Sequence, residues 1–100
     1  MLTHIVIWKY LADAEQAARE SHIAALQNLP ALISEIESFK AGFDMLRLPR
    51  SFDAGLVAAF RDRAALHAYT IHPEHVRALE LGRAIIEHVA SVDFEDEEQA

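Results

Sequence analysis

Two stretches of this chain, residues 3–10 and 54–60, are apolar in both of their alternating sets. In the first, His4, Val6, Trp8 and Tyr10 form one set, and Thr3, Ile5, Ile7 and Lys9 the other. A strand with one wet face alternates apolar with polar residues, and a strand covered twice does not. Each of these strands therefore needs cover on two sides. The chain has 100 residues, which suffices for one core and not two. Helices can cover one face of such a sheet and a partner subunit the other, and a small domain with surplus apolar surface is expected to form an oligomer. A hydrophobic fraction of 52% with only 8% aromatic residues agrees with a small core and apolar surface to spare.

The rest of the sequence supplies the helices and two further strands. Asp13-Ala-Glu-Gln16 has the spacing of a capping box and predicts a helix over 14–29, closed by Pro30. Ala18, Ile23, Ala25, Leu26 and Leu29 are read as its inward residues, with His22 at the rim of that stripe. Residues 36–43 read as a strand, with Phe39 and Ala41 on one face and Ser38 and Lys40 on the other. A loop over 44–53 carries Arg47 and Arg50, which suit either an anionic ligand or simple exposure to water. Asp62 can cap a helix over 63–70, with Leu66 and Tyr69 inward. A longer helix from Pro73 to about Glu87 offers Val76, Leu79, Ile85 and Ile86 to the core, and 88–95 return as the last strand. The order β-α-β-β-α-α-β gives an α+β, ferredoxin-like domain over 1–95, with a four-stranded, mainly antiparallel sheet. An acidic tail at 96–100 is expected to be disordered.

Charge narrows the partners. The formal net charge is −7, but Asp93, Glu95, Asp96, Glu97 and Glu98 crowd the C-terminus, and without them the balance is −2. No basic stripe invites nucleic acid or an anionic membrane. No apolar run approaches the ~18 residues of a membrane span. The first ten residues lack the features of a signal peptide, so a cytoplasmic location is expected. The absence of cysteine removes a thiolate nucleophile, a disulfide framework and a zinc ribbon.

The chemistry concentrates in Tyr69-Thr-Ile-His72-Pro73-Glu-His75. On one unbroken helix, Tyr69 and His75 would lie about 240° apart around the axis. Pro73 lacks an N–H and forces His72 out of the helical region, so one helix ends near Ile71 and another begins at the proline. That break brings the phenol and the imidazole toward each other. His75 then sits in the first turn of the new helix, where the positive dipole end favours a neutral ring. A neutral imidazole beside a phenol suits proton transfer on a carbonyl compound. A capping arrangement around the proline accounts for the same residues without chemistry. His72 and His75 also have the i, i+3 spacing of some metal ligands, yet there is no cysteine and no nearby acidic partner beyond Glu74, and neither a metal nor a cofactor is expected.

His4-Ile-Val-Ile-Trp-Lys9, Leu56-Val-Ala-Ala-Phe60, Leu66-His-Ala-Tyr69 with His72-Pro-Glu-His75, and Val92-Asp-Phe-Glu95 together resemble the stress-responsive dimeric α/β-barrel (Dabb) family over residues 2–95. The resemblance implies a homodimer whose two sheets pack face to face as a barrel, with a pocket in each subunit between sheet and helices. A plant branch, similar to olivetolic acid cyclase, closes linear polyketides with a tyrosine and a histidine. By position in the motif these roles fall to Tyr69 and His75, and His4 matches a pocket-lining histidine. Around Ala18 and Arg19 the large aromatics of that branch are missing, which departs from its substrate pocket.

Two functions of different kinds follow. In the first, a cofactor-independent lyase or cyclase uses His75 to remove a proton beside a carbonyl and Tyr69 to hold the developing oxyanion, with His4, Trp8, Leu56 and Ala58 lining a pocket for a small apolar or aromatic carbonyl ligand. In the second, a noncatalytic stress-responsive or ligand-binding dimer uses the same histidines only to fix the helix break. A cofactor-free monooxygenase is a third reading, since related dimeric barrels oxidise aromatic substrates and Trp8 suits such a site.

Overall fold

A computed structural model describes residues 1–96 of the chain. Its elements run β1 (Leu2–Tyr10), α1 (Gln16–Gln27), α2 (Leu29–Leu32), β2 (Ile36–Phe43), β3 (Ala54–Phe60), α3 (Arg63–Ile71), α4 (Pro73–Arg83) and β4 (Ile86–Glu95). The strands form one antiparallel sheet in the order β2-β3-β1-β4, the ferredoxin-like arrangement read from the sequence. Both doubly apolar stretches, β1 and β3, occupy its two central positions, where the pairing is fullest.

Register divides the faces. His4 pairs with Ala58 on one side and Asp93 on the other, and Trp8 with Ala54 and Val89. Leu2, Trp8, Tyr10, Ala54, Leu56, Ala58 and Phe60 are buried beneath the helices together with Ile23, Leu26, Leu29 and Ile33. On the opposite face Ile7, Val57, Val92 and Phe94 are exposed, and no element among the described residues covers them.

Several local expectations are corrected. Helix α1 starts two residues later than predicted: Glu15 is its N-cap and no side chain caps it, so the Asp13/Gln16 box does not form. Instead the Ala14 N–H donates to the Leu11 carbonyl, and Arg19 reaches back to the Leu11 and Ala14 carbonyls. Pro30 does not end a helix but stands in the first turn of α2, where a residue without an N–H costs nothing. Helix α4 stops at Arg83, and Ile86 already belongs to β4. Val76 and Leu79 face outward; His75, Ala78 and Gly82 supply the inward stripe at i, i+3 and i+7. The tail expected at 96–100 lies outside the described residues except for Asp96, whose backbone pairs with Met1.

Candidate active site

The break at Pro73 has the predicted form. Helix α3 ends at Ile71, and His72 is extended (φ −63°, ψ 135°). Its ring caps α4, Nδ1 accepting the Glu74 N–H at 3.1 Å. His72 is thus accounted for by capping alone. At the other end of α3, the Asp62 carboxylate accepts the Ala65 N–H at 2.9 Å, as the sequence indicated.

The bend brings Tyr69 and His75 together. Their ring centroids lie 4.3 Å apart with planes tilted by 36°, and no hydrogen bond joins them. Phe60 packs against the phenol at 4.9 Å, and His4 meets it edge-on at 6.1 Å. Tyr69 is 1% exposed, and its hydroxyl has no hydrogen-bond partner among the described residues. Burial pushes its pKa up to about 12, so the group is a neutral donor at any physiological pH.

His75 Nδ1 lies 2.9 Å from the Thr70 carbonyl. A carbonyl can only accept, so Nδ1 carries the proton. Burial, the largest influence, holds the His75 pKa below the usual imidazole value; the Thr70 carbonyl opposes this, and the nearby His4 and His72 reinforce it. The ring is therefore neutral near pH 7, with a basic lone pair on Nε2. His4 has a different anchor: its Nδ1 contacts the Asp93 carboxylate across the β1–β4 pair.

Of the residues proposed to line a pocket, His4 and its strand neighbour Ala58 stand at this cluster, and Leu56 lies two residues further along β3. Trp8 belongs to a second group. Its ring packs edge-on against His22 at 5.4 Å and Tyr10 at 6.5 Å. His22, expected at a rim, is 3% exposed, with Nδ1 2.9 Å from the Tyr10 hydroxyl. Burial lowers the His22 pKa. The Trp8 indole N–H is buried outside hydrogen-bonding geometry, although it lies near enough to the Tyr10 phenol to oppose the rise that burial imposes there. The spacing His22, Leu26, Leu29 (i, i+4, i+7) carried the signal for this burial. Nothing local signalled Asp93, which reaches His4 only through strand register.

Arg47 is not free for an anionic ligand. It adopts φ 51° and bonds Asp53 at 2.7 Å, Asp44 at 3.3 Å and the Phe52 carbonyl at 3.2 Å. Among the described residues, no group of three or more His, Asp or Glu side chains converges as a metal set would. No helix there is long and apolar enough to cross a membrane.

A cleft of about 400 Å³ opens between α3 and β4, lined by Leu2, Arg63, Leu66, His67, Thr70, Asp93, Phe94 and Glu95. Neither Tyr69 nor His75 lines it.

Solved structures share this architecture. A dimeric ferredoxin-like protein from Bacteroides fragilis is 30% identical, with TM-score 0.84 and 95% of each chain covered. One from Thermobifida fusca is 27% identical, with TM-score 0.85 and 93% of this chain and 88% of that one covered. The hydroxynitrile lyase of Passiflora edulis has the same fold at 18% identity, with TM-score 0.83 over 99% of this chain and 95% of its own. No curated protein matches the sequence. The profile of the stress-responsive A/B barrel domain matches residues 2–96, and the chain belongs to that family, Dabb.

Proposed function

We propose that Tyr69 and His75 form a cofactor-independent acid–base pair for a small carbonyl compound, in a lyase or cyclase reaction. The observation that carries this reading is the Tyr69 hydroxyl, which is sealed in the core without a partner. A buried unsatisfied hydroxyl costs roughly 1–3 kcal/mol. A carbonyl or enolate oxygen brought against it would supply the missing acceptor. His75, oriented by the Thr70 carbonyl, has Nε2 available to take the proton on the carbon next to that carbonyl. As the proton leaves, charge moves to the oxygen, where the Tyr69 O–H donates to it; the phenol is too weak an acid to lose its proton and serves as a fixed dipole. His4 and Ala58 would bound the same space. A neighbour of the same fold, 18% identical, is a hydroxynitrile lyase, so one protein built on this architecture is an enzyme.

The working form in this reading is a homodimer through the open sheet face. Ile7, Val57, Val92 and Phe94 leave an apolar surface that water would otherwise cover, and the similar Bacteroides and Thermobifida proteins are dimeric.

One observation favours the noncatalytic reading. Tyr69 is 1% exposed and lines no described cavity, so the pair can equally be a filled core in which His75 ties the two helices together. Exchange of ketone α-hydrogens in D₂O decides between them. Catalysed exchange in 2-heptanone, lost in both Tyr69→Phe and His75→Ala while the folded spectrum persists, is the result expected for the acid–base pair. Exchange no faster than buffer across a panel of ketones and cyanohydrins would favour the structural role.

A further inference from the structure

Nine residues of the chain are Lys or Arg, and six of them are already engaged. Arg19 donates to the Leu11 and Ala14 carbonyls, and Arg47, Arg61, Arg63, Arg77 and Arg83 each stand beside a carboxylate. The other three, Lys9, Lys40 and Arg50, have no carboxylate within ion-pair distance among the described residues. All three border the open sheet face. Lys9 shares its side of β1 with Ile5 and Ile7, Lys40 stands opposite Val57 in the ladder, and Arg50 lies beside Ile7, Gly42 and Gly55. An apolar face rimmed by unmatched cations fits a partner that brings carboxylates to it.

The charges lie at opposite ends of this face. Lys9 stands opposite His88 near the start of β4, with Phe52 against both side chains, and Arg50 closes the same end. At the other end β4 finishes in Glu95 and Asp96, and Glu97 and Glu98 follow in the sequence. Arg63 and the N-terminal amine offset only part of that charge. The backbones of Met1 and Asp96 continue the ladder, so strand alternation carries Asp96 to the side of Phe94. Bulk is polarised too. On one side of the Ile5–Val92 pair stands Phe94; on the other is Ala90, where a hollow of about 160 Å³ is lined by Ile5, Ile7, Ala90, Ser91 and Val92.

A two-fold interface must be complementary to itself. An axis running along the strands would set like ends of two copies together, whereas an axis across the strands sets basic against acidic. Placed over the Ile5–Val92 pair, the second axis carries Phe94 of the partner subunit over Ala90 and Asp96 of the partner subunit over the Lys9–His88 pair. We propose that the open face takes a second copy turned end for end in this way, with Lys9 and Arg50 meeting the acidic end of the partner's β4 and the phenylalanine filling the hollow. Lys40 falls on the axis row at the β2 edge, where its amine can turn to water. The proposal rests on the dimer of the preceding reading and adds its orientation and contacts.

The test is sedimentation of the full chain. Lys9→Glu and Asp96→Lys should each weaken self-association about tenfold, since symmetry repeats the like-charge contact twice. An equimolar mixture of the two should associate as tightly as the parent, because in the mixed pair one contact has both signs reversed and the other is untouched. Ala90→Phe should weaken association by about as much, and adding Phe94→Ala should recover the loss. A parent dimer indifferent to these changes, or a mixture no tighter than either variant alone, overturns the orientation and leaves the sheet-face dimer standing. A parent that stays monomeric overturns both, and its co-sedimentation with phosphatidylserine vesicles would give the face to a lipid surface instead.

Discussion

The imidazole of His22 lies directly over Gly82: a methyl group on that glycine would come within 2.7 Å of Nε2 and 2.9 Å of Ile86 Cδ1. His22 is buried and bonded to Tyr10, so its ring cannot swing aside cheaply. Alanine normally gains ~1 kcal/mol over glycine inside a helix, whereas overpacking a core costs about 1–3 kcal/mol. Overpacking should win here, because two side chains must move at once. Gly82→Ala is expected to lose about 1 kcal/mol in urea denaturation, and a variant as stable as the parent would contradict the close fit. Gly82→Ala combined with His22→Ala should recover part of the helix gain.

Tyr69→Phe should behave oppositely. The substitution removes a hydroxyl that has no partner and leaves the ring contacts with Phe60 and His75 in place. A net gain of about 1 kcal/mol is expected, since the cost of burying the orphan group disappears. The same variant should lose ketone exchange. Higher stability with lost activity is the pattern of a site that gives up stability for function; a fall in stability would mean that the hydroxyl has a partner in solution.

How much of this was legible beforehand follows the range of each signal. The helix break was readable because Pro73 acts on its own neighbours, and it predicted that Tyr69 and His75 meet. The doubly apolar strands likewise announced themselves as the central pair of the sheet. The capping box at Asp13 failed because a competing local turn, closed by Leu11 and Arg19, delays the helix. Val76 and Leu79 were misassigned for a different reason: the inward stripe of α4 is built from His75, Ala78 and Gly82, small or polar residues that hydrophobic periodicity overlooks. Asp93 and His4 are 89 residues apart, and only the register of β4 on β1 joins them.

Stability should depend on pH at both ends of the range. His22 and His75 have folded-state pKa values below the ordinary 6.5, chiefly through burial. The unfolded chain then binds more protons below about 6.5, so the stability these residues confer is complete above that value and is lost as pH falls through the lowered folded values. Burial raises Tyr10 and Tyr69, the latter to about 12. The unfolded chain loses those protons first, so stability should also decline as pH rises from about 10 to 12. Urea midpoints between pH 7 and pH 5 should fall in the parent and fall less in His22→Asn and in His75→Asn. An unchanged slope in both variants would assign the acid loss to other groups.

The loop between β2 and β3 is clasped by charge. Asp53 receives the Tyr10 N–H at 2.8 Å on one oxygen and Arg47 at 2.7 Å on the other, which ties the loop to the end of β1. These contacts hold the Asp53 carboxyl below its usual pKa despite the opposing effect of burial. Arg47→Gly keeps the left-handed backbone at φ 51° and removes only the side-chain contacts. Amide hydrogen exchange at Asp44 and Tyr10 should speed up severalfold in that variant, with the global denaturation midpoint nearly unchanged because the pair is exposed to solvent. Exchange rates equal to the parent's would show that the backbone holds the loop without the clasp.

The open sheet face gives the most direct test of assembly. Ile7 lies on the central strand β1, between Gly55 of β3 and Ala90 of β4, and is partly exposed in the single chain. A carboxylate there meets water in a monomer but would be buried without a partner between two packed sheets. Desolvating an unpaired charge costs several kcal/mol, of which ~3 kcal/mol would weaken association by more than a hundredfold. Ile7→Glu should therefore sediment as a folded monomer at concentrations where the parent is a dimer. A parent that is monomeric throughout, or a glutamate variant that still dimerises, would place the subunit contact elsewhere and leave the apolar face unexplained.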